Sequence, residues 1–194
     1  MIDKTNITGI ILAGGKSSRM GSDKGFLTLN GATFISLIIE AIKPLVNDII
    51  IVSNNVAYDQ YGYKRVDDLI ANAGPLAGIY SGLNHSETNR NLVLSCDVPS
   101  IKTFVLEKLI QSKNSNFDIV QLQSQNKTMP LIALYKKQCM GTFLGLLQNG
   151  ERRLRFAVEQ LNTKTIMLNV EFDQLVKNIN TVEQLNALKN AVEH

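Results

Sequence analysis

Apolar and polar positions alternate in blocks along the chain. Short runs rich in Ile, Val and Leu are typical of strands buried on both faces, whereas apolar residues spaced three and four positions apart are typical of helices with one buried face. The apolar runs predict strands over residues 7–12, 49–52, 91–95, 117–121, 131–135 and 165–168. A further short strand is predicted over residues 64–66. The helical spacing predicts helices over residues 32–45, 78–85, 101–111, 137–148, 152–160 and 181–192.

The alternation of strands and helices predicts an α/β fold with a mostly parallel sheet and helices on both faces. The polar segment 123–129 is expected to form either a loop or an edge hairpin. The chain has 194 residues and shows no repeat or linker. That length suits one domain, which we expect to span residues 1–194.

Several polar segments follow predicted strands directly. They are the loop after the first strand, residues 53–55, Asp67-Asp68 and Cys96-Asp97. Ligands of parallel sheets bind beyond the carboxyl ends of the strands. The sequence therefore predicts that these segments meet at one edge of the sheet and form a binding site there.

The loop after the first strand has the composition of a phosphate-binding loop. Residues 12–24 read LAGGKSSRMGSDK. Gly14 and Gly15 carry no Cβ, so an anion can approach the backbone N–H groups, and Arg19 and Lys24 add positive charge. A P-loop would need its first glycine at Ile10, and no glycine triplet has the dinucleotide-binding spacing. The loop therefore predicts a polyphosphate site of another type.

Asp97 has two interpretations from its position alone. It follows an apolar strand opposite the phosphate loop, which suits magnesium, because this ion takes few protein carboxylates and completes its shell with phosphate oxygens and water. Alternatively, Asp97 caps the helix predicted to begin near residue 101, although Ser100 could also do so.

Composition narrows the class of protein. The formal net charge is +3, 44% of residues are hydrophobic, and there are two cysteines and two histidines. Scattered basic residues argue against a nucleic-acid partner, and two cysteines are too few for a disulfide framework or a cysteine-based zinc site. No apolar run reaches membrane-span length and no leader pattern is visible, so we expect a cytoplasmic protein without membrane contacts.

Three further motifs follow the loop in order: GPLAG at 74–78, CDVP at 96–99 and NINTVEQL at 178–185. With the loop, they resemble the molybdenum cofactor guanylyltransferase family of nucleotidyltransferases, over essentially the whole chain. The resemblance implies a three-layer α/β/α sandwich with a Rossmann-like sheet. It also implies transfer of GMP from GTP to the phosphate of molybdopterin or the molybdenum cofactor, with pyrophosphate release and Mg²⁺ as cofactor. Transient contacts with cofactor-biosynthesis and acceptor proteins are also expected.

The resemblance also assigns roles to individual residues. It implies that Arg19, Lys24 and Asp97 are catalytic and that Asp97 holds the metal. The residues that it implies for GTP binding are Leu12, Ala13, Gly14, Gly15, Lys24, Asp68, Pro75, Leu76 and Asp97. Asp68 can accept hydrogen bonds from guanine or from ribose, or can be a surface turn residue, and a nucleotide contact in 53–55 stays unassigned.

Other interpretations remain open at this point. One is a related transferase that uses CTP or a sugar-phosphate-type acceptor, and another is a non-catalytic nucleotide-binding adaptor. Asp23 either orients Lys24 through an ion pair or is a turn residue. Arg152, Arg153 and Arg155 form either a solvated basic face or a site for the phosphate of the second substrate.

Overall fold

Strands and helices alternate along the computed structural model, which describes residues 6–14, 23–112 and 116–192. The strands are β1 Ile7–Leu12, β2 Thr28–Leu29, β3 Ala32–Thr33, β4 Asp48–Val52, β5 Lys64–Val66, β6 Arg90–Ser95, β7 Ile119–Ser124, β8 Lys127–Lys136 and β9 Thr163–Met167. The helices are α1 Phe34–Ile42, α2 Gly74–His85, α3 Thr103–Gln111, α4 Cys139–Gln148, α5 Leu154–Glu159 and α6 Val182–Val192. Segments of 3-10 helix cover Lys24–Phe26, Lys43–Leu45, Val56–Tyr61 and Val170–Val176. None of these described helices has the length and apolarity that a membrane span requires.

One mostly parallel sheet organises the described chain. Its strand order is β5-β4-β1-β6-β8-β7-β9, and β2 and β3 form a separate antiparallel pair. In the large sheet β8 runs antiparallel to β6 and β7, whereas the other pairings are parallel. The reversal follows from a hairpin between β7 and β8. Its two turn residues, Gln125 and Asn126, have φ values of 48° and 62°, as a two-residue hairpin turn requires.

Helices cover both faces of the sheet, which confirms the predicted α/β sandwich. α1 and α3 pack on one face, and α2, α4 and α5 pack on the other. In the interior strand β1, Ile7 and Ile11 face the first layer, and Ile10 and Leu12 face the second. Because both faces of β1 are buried, its sequence is mostly apolar and does not alternate between apolar and polar residues.

The C-terminal helix brings a distant part of the chain to the end of β6. Leu185 of α6 and Ile179 pack with Leu29 and Phe34 in a small separate cluster. The segment before α6 therefore passes the carboxyl end of β6, where the Ile179 N–H donates a hydrogen bond of 2.8 Å to the carbonyl of Asp97.

Two predicted helices differ from those in the structure. The helix predicted to begin at residue 78 begins at Gly74, because Pro75 can occupy a first turn, in which its missing N–H has no helical partner. The helix predicted over 32–45 begins only at Phe34, after β3, and becomes a 3-10 segment at Lys43–Leu45, where Pro44 cannot donate to the α-helical ladder. The segment 123–129 forms the β7–β8 hairpin. The predicted strands 7–12 and 64–66 have the predicted bounds, and the other predicted elements are present with shifted ends.

The contact between α2 and β1 gives a stability prediction. A Cβ added to Gly82 would lie 2.5 Å from Cγ2 of Ile10, and Ile10 is fully buried. We expect Gly82→Ala to lower the free energy of unfolding by about 1–3 kcal/mol, because the packed side chain has no free space into which to move. Urea denaturation measures this change.

Gly145→Ala in α4 is the matched control. A Cβ at that position meets nothing within 4 Å. Its free energy of unfolding should stay equal or rise by up to about 1 kcal/mol, through the higher helix propensity of alanine. Equal losses in the two variants would contradict a specific close contact at Gly82.

Candidate active site

The carboxyl ends of β5, β4, β1 and β6 lie side by side at one edge of the sheet. The segments that follow the first three of these strands border a cleft of about 710 Å³. Among the residues expected to bind GTP, the cleft is lined by Leu12, Gly14, Asp68 and Pro75. The edge of the sheet therefore collects residues that the sequence predicted to act together.

Two of the expected GTP-binding residues lie beneath the surface of the cleft. Ala13 and Leu76 are fully buried, and the Ala13 N–H donates to the carbonyl of Val52 at 3.0 Å. Leu76 belongs to the core layer under α2, where it supports Pro75. Gly15 and Arg19 lie outside the described residues.

Lys24 and Asp97 form an ion pair beyond the end of this cleft. The Lys24 Nζ lies 3.7 Å from Oδ2 of Asp97, and the two side chains are 21% and 13% exposed. α3 begins at Thr103 with Lys102 at its N-cap position, so Asp97 is not the cap of that helix. Its carboxylate instead faces the lysine at which the phosphate loop ends.

The segment 178–180 completes this charged group. Asn180 accepts a hydrogen bond of 2.5 Å from the Lys24 Nζ, and Asn178 donates one of 3.4 Å to Oδ2 of Asp97. The Asn180 N–H is itself held by the Gln184 side chain at 2.7 Å. No site role was predicted for these asparagines. The signals that the sequence offers are the NINTVEQL motif at 178–185 and, within it, two asparagines on either side of an apolar residue just before a helix.

Asp97 has the free acceptor that a metal ion needs. Its Oδ1 is buried and has no hydrogen-bond partner. The described residues contain no group of three or more His, Cys, Asp or Glu that could hold a metal. A single carboxylate with an unused oxygen fits magnesium, which takes its other ligands from phosphate and water. Asp97 is therefore the residue that would hold this ion.

Asp68 lies at the opposite end of the sheet edge, with an unpaired oxygen of its own. Its Oδ1 is buried without a hydrogen-bond partner, and burial, followed by repulsion from Asp67, raises its pKa. A Cβ on Gly78 would lie 3.6 Å from this oxygen, in ordinary van der Waals contact, and Asp68 and Gly78 both line the cleft. Such an acceptor is suited to a ligand that brings N–H or O–H donors.

Side chains behind the edge hold these segments in place. Asn54 accepts a hydrogen bond of 2.9 Å from the Asp68 N–H. Arg65 donates to the Ser53 carbonyl at 2.8 Å and pairs with Asp59 at 2.9 Å and with Asp67. The turn 53–55 and the Asp68 turn are thus connected.

Asp23 is a turn residue rather than the ionic partner of Lys24. It is the N-cap of the 3-10 segment Lys24–Phe26 and accepts a hydrogen bond of 3.1 Å from the Gly25 N–H. Lys24 points instead to Asp97 and Asn180.

A second cavity, of about 940 Å³, adjoins the cleft and shares Pro75, Ser95 and Leu131 with it. Asn178, which contacts Asp97, also lines it. So do two of the arginines whose role was open, Arg153 and Arg155, whereas Arg152 does not. The predicted helix at 152 begins only at Leu154.

The rim of this second cavity carries an oriented guanidinium group. Arg153 pairs with Glu151 at 2.6 Å, and its guanidinium lies 5.0 Å from the ring centre of Phe156. Hydrogen bonds from Arg153 lower the pKa of Glu151 to about 2. The glutamate therefore stays ionised and holds the arginine beside the opening.

Cys96 has no nucleophilic role in this arrangement. It is buried, and desolvation, with a smaller contribution from Asp97, raises its pKa to about 12. The thiol is therefore protonated at neutral pH and packs as a small apolar group.

A mostly parallel sheet with helices on both faces and a cleft at the carboxyl ends of its strands is the architecture of the α/β proteins that bind ligands at this edge. The MobA-like NTP transferase domain family matches residues 9–165. A probable molybdenum cofactor guanylyltransferase of Flavobacterium johnsoniae is 36% identical over 182 residues, covering 94% of this chain and 96% of that protein. The molybdenum cofactor guanylyltransferase of Vibrio parahaemolyticus is 32% identical over 188 residues, covering 95% and 96%. The chain belongs to the MobA-like NTP transferase family.

Solved structures show the same fold. Molybdopterin-guanine dinucleotide biosynthesis protein A of Archaeoglobus fulgidus superposes with a TM-score of 0.82 at 24% identity, covering 96% of this chain and 98% of that one. The 4-diphosphocytidyl-2C-methyl-D-erythritol synthase of Anaerococcus prevotii superposes with a TM-score of 0.78 at 13% identity, covering 100% and 98%.

The unpaired carboxylate of Asp68 gives a prediction for the nucleotide-free protein. Because folding raises its pKa, the ionised group destabilises the folded state above that raised pKa, and this effect disappears as the pH falls below the ordinary carboxyl pKa. We expect Asp68→Asn to raise the free energy of unfolding at neutral pH by up to about 1 kcal/mol, and the gain to vanish in acid. Thermal unfolding between neutral and acidic pH measures it.

Asp59→Asn is the control. The Asp59 side chain is 59% exposed and pairs with Arg65, so this variant should show no gain in stability. A wild-type melting temperature for Asp68→Asn at neutral pH would contradict a desolvated carboxylate at that position.

Proposed function

We propose that this protein transfers GMP from GTP to the terminal phosphate of molybdopterin or its molybdenum-loaded form, releasing pyrophosphate and forming the guanine dinucleotide cofactor. The relatives from Flavobacterium johnsoniae and Vibrio parahaemolyticus are named for this guanylyl transfer, and each aligns with nearly the whole chain. Residues 1–194 act as one catalytic domain in this proposal, because segment 178–180 near the C-terminus contacts Lys24 and Asp97.

One observation carries the proposal: two adjoining cavities lie beside a single charged group. The smaller cavity lies at the carboxyl ends of the parallel strands. The larger cavity is lined by Asn178, which contacts Asp97. A transferase needs such an arrangement, because donor and acceptor must meet at one reacting phosphorus. A nucleotide-binding adaptor needs only the first cavity.

The spacing of the strands supports a proposed orientation of the nucleotide. Asp68 follows β5 and Asp97 follows β6, three positions apart in the strand order. With about 4.8 Å between neighbouring strands, the two ends are separated by roughly 14 Å. This distance is comparable to an extended nucleotide. The base then lies at Asp68 and the phosphates lie at Lys24.

Asp68 favours guanine at that end. Guanine presents an N–H and an amino group side by side, and one carboxylate can accept from both. Cytosine offers only its amino group beside a ring acceptor, which would repel the second oxygen. The buried acceptor of Asp68 therefore favours guanine, because it would lack a hydrogen-bond donor in the complex with cytosine.

The chemical step is an in-line displacement at the α-phosphorus. An oxygen of the acceptor phosphate forms the new P–O bond, and the bond between the α-phosphorus and the bridging oxygen to the β-phosphate breaks. Pyrophosphate leaves with the electron pair of that bond. The acceptor is already an anion near neutral pH, so no strong general base is required.

Repulsion between the two anions is the main barrier. Two like unit charges 4 Å apart repel by about 4 kcal/mol at an effective dielectric constant near 20. Lys24 offsets this charge on the phosphates, and by resemblance Arg19 does so as well. A magnesium ion held by Asp97 would neutralise phosphate charge further when bound. Asn180 and Asn178 keep Lys24 and Asp97 in position.

The acceptor fits the larger cavity. Apolar side chains such as Leu131 and Ile132 line its interior, and Arg153 and Arg155 lie on its wall. In this proposal the fused heterocycle of the acceptor packs on the apolar side chains, and the two arginines bind its phosphate. We place the reaction in the cytoplasm, where GTP is available, and expect transient contacts with the proteins that supply the pterin and receive the product.

Substitution of the charged group tests the proposal. We expect Lys24→Ala and Asp97→Ala to fold normally and to lose about two to three orders of magnitude in kcat, because each removes a preorganised charge from the transition state. The assay measures GTP- and magnesium-dependent formation of the dinucleotide with purified molybdopterin. Lys43→Ala, which removes an exposed lysine, should keep wild-type activity.

Near-wild-type turnover in both active-site variants would defeat the mechanism. The same assay with CTP, ATP and UTP tests the choice of base, and a preference for CTP would support the alternative transferase. Failure of the wild-type protein to release pyrophosphate with any nucleotide would instead favour an adaptor.

The acceptor site gives a separate prediction. We expect Arg153→Ala to raise the KM for molybdopterin about tenfold or more and to leave the KM for GTP unchanged, because a charged hydrogen bond to phosphate is lost only on the acceptor. Steady-state kinetics with each substrate varied in turn measures both constants. Arg152→Ala, outside the cavity wall, is the control. Equal effects of the two variants would contradict the assignment.

A further inference from the structure

The carboxylate of Asp23 is held by three hydrogen bonds. Its Oδ1 accepts from the Tyr58 hydroxyl at 2.5 Å and from the Gly25 N–H at 3.1 Å. Its Oδ2 accepts from the Asn55 side-chain amide at 3.1 Å. Both oxygens are therefore occupied, in contrast to Asp97, whose Oδ1 has no partner. Asp23 is thus built as a fixed support rather than as a free ligand.

Tyr58, which donates to Asp23, is held in place by burial and by aromatic packing. It is fully buried, and its ring stacks on Phe26 with 4.6 Å between centroids. Burial, and then the hydrogen bond to Asp23, raise the pKa of Tyr58 far above its ordinary value, so the phenol stays neutral and donates. A Cβ on Gly25 would lie 2.1 Å from the phenol oxygen. The backbone next to Lys24 therefore lies directly against the tyrosine.

The position of this support in the chain gives it a consequence for Lys24. Asp23 is the residue before Lys24, and it caps the 3-10 segment in which Lys24 lies. The far end of the lysine contacts Asp97 and Asn180. Fixing Asp23 therefore fixes the backbone from which the Lys24 side chain extends.

The same support reaches the nucleotide cleft. Asn55, which donates to Asp23, lines the 710 Å³ cleft together with Asp23 itself. The side-chain Oδ1 of Asn55 caps the 3-10 segment Val56–Tyr61 by accepting a hydrogen bond of 3.0 Å from the Ala57 N–H. The element that carries Tyr58 and the wall of the cleft are therefore one connected unit.

We infer that Tyr58 is a positioning residue for nucleotidyl transfer: its hydroxyl holds Asp23, and Asp23 sets Lys24 against Asp97 at the reacting phosphates. The inference rests on the proposed function for its kinetic readout. Tyr58 touches neither substrate nor metal in this account, so its hydroxyl should affect the rate of the chemical step more than the affinity for GTP.

The chain offers a matched control in Tyr61. It belongs to the same 3-10 segment and aromatic group, 6.2 Å from Tyr58 between ring centroids, and its hydroxyl contacts Thr33 at 3.0 Å instead of Asp23. Tyr58→Phe and Tyr61→Phe each remove one phenol oxygen from one cluster. Only the first removal breaks the connection to Lys24.

Kinetics of the two variants test the inference. Tyr58→Phe should lower kcat about tenfold or more, with the KM for GTP within about twofold of wild type, since a misplaced charge weakens transition-state stabilisation. Tyr61→Phe should keep the wild-type kcat. In the Lys24→Ala background, Tyr58→Phe should cause no further loss, because it acts through that lysine. Equal kcat values for the two tyrosine variants, or a full additional loss in the double variant, would overturn the inference.

A readout without turnover separates this inference from the proposed function. Hydrogen exchange of the amides in residues 24–27 should be faster in Tyr58→Phe than in Tyr61→Phe, whichever reaction the protein catalyses. Unchanged exchange would overturn the inference, whereas absent GMP transfer by the wild type would overturn only the proposed function. If Tyr58→Phe does not fold, Asp23→Asn replaces it: a kcat lowered at least fivefold at unchanged KM supports the inference, and a wild-type kcat overturns it.

Discussion

The ion pair between Lys24 and Asp97 is the interaction on which the site depends. It joins the end of the phosphate loop to the end of β6 and is reinforced by two asparagines from the C-terminal segment. The two side chains are mostly buried, and the positive charge of Lys24 balances the negative charge of Asp97. In the proposed reaction, a triphosphate that binds Lys24 would leave the carboxylate of Asp97 without its counter-charge. A magnesium ion at Asp97 would then restore the balance, so we propose that nucleotide and magnesium binding are coupled through this one contact.

The sheet topology distributes recognition and chemistry around that contact. The parallel strands β5, β4, β1 and β6 bring Asp68, the proposed base-binding residue, and Asp97, the proposed metal-binding residue, to opposite ends of one edge. The reversed strand β8 lines the proposed acceptor cavity with residues from Lys127 to Ile132. One antiparallel strand beside the parallel group therefore places a second binding surface next to the first.

Local sequence pattern predicted the parts of the structure that local physics determines. Three features could be predicted because each depends on a few neighbouring residues: the apolar run of β1, the glycines after it and the Asp that follows β6. The role of Asn180 was not visible, because its bond to Lys24 joins residues 156 positions apart. The buried oxygen of Asp68 and the contact of Tyr58 with Asp23 also arise only when separate turns pack together. The early start of α2 at Gly74 depends on proline tolerance in a first turn, which helical periodicity does not report.

The most direct test of this account is a crystal structure of the protein with a non-hydrolysable GTP analogue and magnesium. We expect guanine to lie at Asp68 and the phosphates to lie at Lys24. We also expect the lysine to move from Asp97 to the phosphates while the carboxylate contacts the metal. An analogue bound in the larger cavity, or a Lys24–Asp97 pair left unchanged beside bound nucleotide, would contradict it.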